Sequence, residues 1–451
     1  MTKVIVDTGH NRNNIFFARL SYVLNFIEKH PSAPDDVRFS LNDPKKEGIT
    51  ISYSDTLSDF QVIPQSRFFI NDDINVPSIK CLGVNYLGFS LKGFSNRDGA
   101  DFIPFDIFET IFFHISRYEE WACSESQLDV HNTMKSSEQY LVKNGLHDVP
   151  LVDLLVHYFY SKIGLQPKNI QTSYTITHDI DVMSKYPSFY KFIRGYGNII
   201  LYQKHKLKNL ALHTYHYMLF ILGICPDPYD TFDWLLIKDH PPIQDKVIYW
   251  LSGGTTKFEG FFNITDKKVK QIMQLAKSHG YEIGLHPSYD SFENDTTLIN
   301  EKRILESISG HKIIHSRQHF LRYSIRITGK ILEKANLETD SSLGFRDRIG
   351  FRCGTGFPYH LYDFEREKPF KFLELPLVVM DMAAMHECGW NSLKWTEHIN
   401  QFIQANQKYT AISLNFHNSF FDPVLTDAKM LKDWYIQSFV SLGRDSLDVS
   451  K

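Results

Sequence analysis

Two carboxylates separated by one residue, Asp179 and Asp181, sit in Thr177-His178-Asp179-Ile180-Asp181 at the end of a strand-like run. If the backbone stays extended, the period of two sends both carboxylates to one side and Ile180 to the other. Like charges held that close need a cation or a proton between them. Taken alone, the pair reads more simply as loop carboxylates capping the next helix. A second piece is Glu282-Ile283-Gly284-Leu285-His286-Pro287-Ser288-Tyr289-Asp290. His286 and Asp290 stand four apart, so one helical turn after the strand would bring an imidazole and a carboxylate to one cation. A lone histidine at a strand end is otherwise a structural, hydrogen-bonded residue. Joined to the two aspartates, it makes an Asp, His, Asp site with room for water, suited to zinc or another divalent transition metal and to hydrolysis.

The elements that must position these residues alternate along the second half of the chain. Strand-like runs are Ser173 to Thr177, Lys246 to Leu251, Glu282 to Leu285, Lys312 to Ser316, Leu337 to Ser341, Phe372 to Val379 and Ala411 to Phe416. Helical patterns such as Asp266 to His279, Leu298 to Ile308, Ile325 to Ala335 and Trp395 to Gln407 separate most of them. Seven such units predict a parallel α/β barrel or a doubly wound sheet. Arg317 and His319 follow the fourth strand, Asp340 lies at the fifth and His417 ends the seventh, and parallel strand ends gather on the face where such folds place their sites.

Residues 1–168 read as a smaller mixed α/β domain, with strand-like runs Gly48 to Ser54 and Ser66 to Ile70. Its two amphipathic helices run from Phe105 to Trp121 and from Val149 to Ile163. Residues 169–451 read as the barrel, with an insertion at about 182–245. With 49 Lys and Arg against 52 Asp and Glu, no global basic field argues for binding nucleic acid. The five cysteines are scattered without zinc-site or disulfide spacing, which fits a reducing compartment. The start, MTKVIVDTGHNRNN, lacks a secretory pattern and no run is apolar for long enough to span a bilayer, so the expectation is a cytoplasmic protein.

The succession Thr-x-Asp-x-Asp, His-x-x-x-Asp, Arg-x-x-aromatic, Asp-Ser-Ser and Leu-x-x-His resembles the polysaccharide deacetylases of carbohydrate esterase family 4 over roughly residues 170 to 440. The resemblance implies a distorted (β/α)7 barrel and metal-dependent removal of acetyl from an N-acetylated sugar. It makes Asp179 the general base, Asp181 and His286 metal ligands, Arg317 the partner that orients the base, and His417 the general acid. The N-terminal half resembles an uncharacterised domain that precedes such deacetylases in some bacteria, with Ser116-Arg117-Tyr118-Glu119-Glu120-Trp121 its most recognisable stretch. The sequence departs from the family where Ile180 splits the usual Asp-Asp, where Asp290 replaces a metal histidine, at His319 and at Asn418. A harder carboxylate ligand weakens the case for zinc specifically. His319 is read as a second imidazole of the site or a substrate contact, with a structural hydrogen-bonding role as its alternative, and Asp340 as a substrate contact, with the capping of a turn by Asp340, Ser341 and Ser342 as its alternative. Glu374 is read as a rim residue, and Phe345, Phe351, Phe357 and Tyr359 as core or sugar-stacking rings.

From Val182 to Pro226 there is no Asp or Glu, while Lys185, Lys191, Arg194, Lys204, Lys206 and Lys208 carry positive charge among aromatic and aliphatic residues. Peripheral contact with an anionic membrane would use such a segment; an insertion covering the barrel with solvated cations is the plainer reading. The expected activity is hydrolysis of N-acetyl groups on an N-acetylhexosamine-containing bacterial surface glycan or a lipid-linked precursor. The alternatives are a non-catalytic scaffold built on a decayed barrel, and a hydrolase of a small cyclic amide.

Overall fold

The computed structural model describes residues 2–9, 13–45, 47–54, 62, 69, 81–95, 102–203, 205–236, 243–260 and 262–445. The run Ser66 to Ile70 therefore lies, apart from Phe69, outside the described residues, as does Lys204.

Near the N-terminus, β1 (Thr2–Asp7) pairs in parallel with both β2 (Val37–Leu41) and β3 (Ile49–Ser52). Parallel neighbours need a crossover, and the helix Asn14–Lys29 supplies it. Asn13 caps that helix by accepting from the Phe16 amide, and Phe16, Leu20, Val23 and Ile27 form its buried stripe. An antiparallel hairpin, β4 (Cys81–Tyr86) and β5 (Phe89–Phe94), follows.

The single helix expected over Phe105 to Trp121 is two, Ile107–Ile115 and Tyr118–Ala122. The break falls at Arg117, whose backbone is left-handed at φ 56°. Its buried guanidinium donates to Glu120 (2.6 Å), Glu119 (3.1 Å) and the Arg352 carbonyl, while Arg352 donates to both oxygens of Glu120 at 2.9 and 2.7 Å. Burial raises a carboxyl, but the two guanidiniums outweigh it and hold Glu120 at about 2. A buried Arg-Glu-Arg cluster of this kind costs several kcal/mol to break by removing one member, and here it ties the two halves of the chain together.

The second half is a distorted (β/α)7 barrel. Its parallel strands are β6 (Tyr174–Ile180), β7 (Ile243–Leu251), β8 (Glu282–His286), β9 (His315–Ser316), β10 (Thr339–Asp340), β13 (Leu373–Glu374), β14 (Val379–Met380) and β15 (Ile412–His417). A short antiparallel pair, β11 (Tyr362–Asp363) and β12 (Lys368–Pro369), lies outside the barrel sheet. The order is β13-β10-β9-β8-β7-β6-β15-β14. The run Phe372 to Val379, expected as one strand, is thus split. Leu373 and Glu374 pair with β10, and Val379 and Met380 pair with β15. Pro376 has no N–H to offer a ladder, and at this point the chain passes from one neighbour to the other. The Ser413 hydroxyl donates to the Pro376 carbonyl at 2.6 Å and accepts from the Val378 amide at 2.9 Å.

Helices Lys267–Ser278, Asp295–Ser309, Thr328–Lys334, Ser392–Asn406 and Ala428–Asp445 pack outside the strands. The segment between β6 and β7 folds as two helices, Phe189–Tyr202 and Lys206–Ile221. One hydrophobic core runs from Val4 and Phe112 to Leu285 and Phe372, so it crosses both halves; a second lies around Ile176, Trp395, Phe416 and Tyr435. Among the described residues no helix is long and apolar enough to cross a membrane.

Candidate active site

β6 lies between β15 and β7, and the register sets His417, Asp179 and Tyr249 side by side on three adjacent strands, with Gly284 of β8 next to Tyr249. Residues paired in register share a face, so the row points into the barrel mouth. Gly284 is required in this row: a Cβ there would lie 2.4 Å from the Tyr249 ring. Arg317, one residue beyond β9, lies over that ring at 4.4 Å.

Arg317 is fully buried and donates to Asp179 Oδ1 (2.8 Å), Thr177 Oγ1 (2.9 Å), Asn415 Oδ1 (2.7 Å) and the Ser341 carbonyl (3.0 Å). The Asn415 amide donates to Asp179 Oδ2 at 2.8 Å. Burial pushes the Asp179 carboxyl up, but Arg317, His286 and His417 together outweigh it and keep the group below its ordinary value. Thr177 and Asp179 face inward together, as the period of two requires. His178 faces outward, where burial lowers it to about 3 and its Nδ1 meets the Phe416 carbonyl at 3.3 Å.

Asp181, His286 and His319 form a second group, with one ligand atom from each within 4.8 Å of the others. His286 Nε2 is 3.2 Å from Asp181 Oδ1, and His319 Nε2 is 3.9 Å from Asp181 Oδ2. His286 Nδ1 contacts the Arg317 carbonyl at 2.6 Å, which fixes a proton on Nδ1 and turns Nε2 toward Asp181; burial lowers this imidazole, but Asp179 and Asp181 together outweigh it and hold it above its ordinary value. Burial drives His319 down to about 4, against the pull of Asp181, so its imidazole is neutral at physiological pH. Asp181 Oδ1 is buried without a hydrogen bond among the described residues. One carboxylate and two imidazoles around a buried oxygen that has no hydrogen bond are donor types that fit a divalent transition metal such as zinc.

His417 completes the mouth. Its Nδ1 meets Asp381 Oδ1 at 2.7 Å, and its Nε2 lies 3.6 Å from Asp181 Oδ2 and 3.9 Å from Asp179 Oδ2. Burial lowers the imidazole, but buried Asp381 and the two further carboxylates outweigh it and hold it protonated, at about 10.

Asp290 stands apart from this group. β8 ends at His286, no helical turn begins at Pro287, and the loop bends only at Tyr289-Asp290. Glu301 takes the Ser288 amide and Glu259 the Tyr289 amide, each at 2.8 Å, while the Asp290 side chain is 70% exposed and pairs with Arg322 at 3.2 Å. The imidazole that stands beside Asp181 and His286 is that of His319, read from the sequence as a second imidazole or a substrate contact. Left-handed backbone at Phe320 (φ 58°) and Leu321 (φ 49°) turns the chain there. Asp340 is fully buried and accepts from the Ser316 hydroxyl (2.6 Å) and the Ser342 amide (3.0 Å), the local capping arrangement that was its alternative. Glu374, expected at the rim, is buried and accepts from the Leu343 amide at 2.9 Å. Phe345, Phe351, Phe357 and Tyr359 are core rings.

Sequence reasoning missed Asp381, Asn415 and His131. Asp381 follows Val379-Met380 as a polar residue at a strand end, the same signal that marks Asp179 and His417. Asn415 lies two residues before His417, on the same face of β15. His131 belongs to the N-terminal half, yet its Nδ1 meets the Tyr289 hydroxyl at 2.7 Å and its ring lies 5.1 Å from Phe320 and 5.6 Å from Phe258. Phe258 stacks on Tyr289 at 4.1 Å.

Residues 10–166 match a family model described as a family of unknown function, DUF7033. No curated protein matches the chain. Among solved structures, the chain is similar to a chitin deacetylase from the fungal pathogen Colletotrichum lindemuthianum, at 9% identity and a TM-score of 0.31, covering 61% of this chain and 85% of that one. It is similar to a polysaccharide deacetylase from Bacillus cereus at 8% identity and a TM-score of 0.27, covering 62% and 89%. The peptidoglycan deacetylase PdaC from Bacillus subtilis matches at 11% identity and a TM-score of 0.27, covering 60% and 85%. The chain joins a segment that matches DUF7033 to a parallel (β/α)7 barrel similar to the polysaccharide deacetylases.

Proposed function

We propose that this protein is a metal-dependent hydrolase that removes N-acetyl groups from an N-acetylhexosamine-containing glycan or its precursor. The observation that carries this reading is the meeting of three side-chain sets in one barrel mouth. They are Asp181, His286 and His319 as a cation-holding group, Asp179 braced by Arg317, and His417 braced by Asp381. A divalent cation held there, zinc by the donor types, supplies Lewis acidity to an acyl carbonyl and to water. Asp179, kept ionised by Arg317, accepts the proton of the attacking water as its oxygen bonds to the acetyl carbon. His417 delivers a proton from Nε2 to the amine nitrogen as the C–N bond breaks, and acetate and a free amine leave. Asp381 holds the proton on Nδ1 and keeps the ring turned toward the site.

In this reading residues 169–451 carry the reaction, and residues 1–168 contribute His131 to a wall shared with Phe258, Tyr289 and Phe320. Flat rings beside the cation-holding group suit the face of a pyranose. The test is acetate release from N-acetylglucosamine oligomers by protein loaded with zinc and by protein stripped with chelator. Release only from the loaded form, and none from Asp181→Ala, is expected. Absence of both metal binding and acetate release would remove the reading.

A further inference from the structure

The two helices inserted between β6 and β7 are the most apolar exposed surface of the described molecule. Eleven of the eighteen large hydrophobic residues exposed among the described residues fall between Phe189 and Ile224. They are not scattered. Phe189, Ile193 and Ile200 recur at helical spacing on the first helix, and Leu207, Met218 and Leu222 do so along and just beyond the second, each set on a solvent-facing stripe. The opposite stripes pack the helices together: Phe192 stacks on Tyr217 at 3.7 Å, and Gly195 admits the His213 ring, which a Cβ would meet at 2.4 Å. The hairpin is thus a finished unit that leaves Ile193, Ile200, Leu207 and Leu222 on outer faces exposed to solvent, while Phe189, itself largely exposed, also has its ring 6.4 Å from that of Tyr217.

Its charge identifies the occupant. Arg194, Lys206 and Lys208 are exposed beside the apolar stripes, and the whole stretch from Val182 to Pro226 has no carboxylate, although the chain as a whole carries a net charge of −3. A second copy would bring the same cations against themselves. An anionic bilayer offers both complements at once, hydrocarbon for the stripes and phosphates for the cations. The hairpin is also fixed to the barrel mouth. Lys185, four residues after Asp181, donates to both oxygens of buried Asp422 at 2.6 Å, and Asp227 accepts from the Lys185 and Tyr186 amides at 2.8 and 2.9 Å.

We infer that the helix pair Phe189–Tyr202 and Lys206–Ile221 docks this protein on an anionic phospholipid leaflet, with the barrel mouth beside the lipid surface. The inference does not depend on the reaction proposed above. It is tested by flotation of the full chain with phosphatidylglycerol-containing and with pure phosphatidylcholine vesicles, across a range of salt. Flotation is expected with the anionic vesicles at low salt, lost as salt rises. The Arg194→Glu/Lys206→Glu/Lys208→Glu variant should partition at least about 100-fold less, since each cation near an anionic surface contributes about fivefold. Ile200→Ser/Leu201→Ser should bind weakly while keeping the wild-type circular dichroism spectrum. No flotation of the wild type at low salt, equal flotation on neutral vesicles, or a dimer that Ile200→Ser/Leu201→Ser dissociates would each overturn the inference.

Discussion

The Asp381 carboxylate grips His417 twice: Oδ1 meets the ring Nδ1 at 2.7 Å, and Oδ2 accepts the His417 backbone N–H at 2.6 Å. Both oxygens of this fully buried side chain meet His417, and Oδ1 also accepts the Met382 backbone N–H at 2.6 Å, so the carboxylate is anchored and fixes the imidazole in position. Asp381→Asn keeps the shape but removes the charge that favours imidazolium. We expect kcat to fall by roughly 100- to 10,000-fold, the span of general-acid catalysis, with zinc content unchanged by elemental analysis.

Metal affinity should sort the carboxylates and imidazoles of the site. Asp181→Ala, His286→Ala and His319→Ala should each lose more than the roughly 10- to 100-fold typical of outer-shell changes, read by zinc titration calorimetry. Asp290→Ala should bind zinc as the wild type does, because its side chain faces solvent and Arg322. Asp179→Asn should also retain metal while losing turnover.

Gly284→Ala probes how the base is positioned. The added Cβ meets the Tyr249 ring, and that ring lies under Arg317, which holds Asp179. Overpacking of this kind costs about 1–3 kcal/mol, to be read by urea unfolding. A fall in kcat beyond what the unfolded fraction explains is expected as well.

His114 makes the fold sensitive to acid. It is fully buried, neither ring nitrogen has a hydrogen bond among the described residues, and burial, aided by Arg117, lowers it to about 3. Its folded value lies below the unfolded value near 6.5, so the unfolded chain takes the proton first. Stability is therefore intact above pH 6.5 and is lost as pH falls toward 3, by about 2 kcal/mol at pH 5 for this group. His114→Phe should flatten that slope in urea titrations at pH 7.5 and pH 5.

The barrel was legible because strand ends in a parallel sheet carry polar residues after apolar runs, and all seven expected strand positions contain a strand. Which of Asp290 and His319 stands beside Asp181 and His286 was not, although both were candidates. It depends on two left-handed residues, Phe320 and Leu321, neither of which is a glycine that would have announced the turn. Arg346 donates to the Phe320 carbonyl at 3.1 Å and to Asp129 and Thr133 of the N-terminal half, so that conformation is held by tertiary partners distant in sequence. The same holds for Arg117, whose break in an amphipathic pattern rests on Arg352 and Glu120. Periodicity reports which face is buried; it does not report where a buried ion cluster will bend the backbone.

The divided sixth strand also bears on how the sheet ends. An open eight-stranded sheet would end in two rows of unsatisfied amides and carbonyls, each a template for another chain. Here both ends are two residues long, Leu373–Glu374 and Val379–Met380, and they belong to one continuous stretch that passes between them through Pro376. Among the described residues the sheet therefore ends in strands only two residues long, and the residue that separates them is one that cannot donate to an incoming strand.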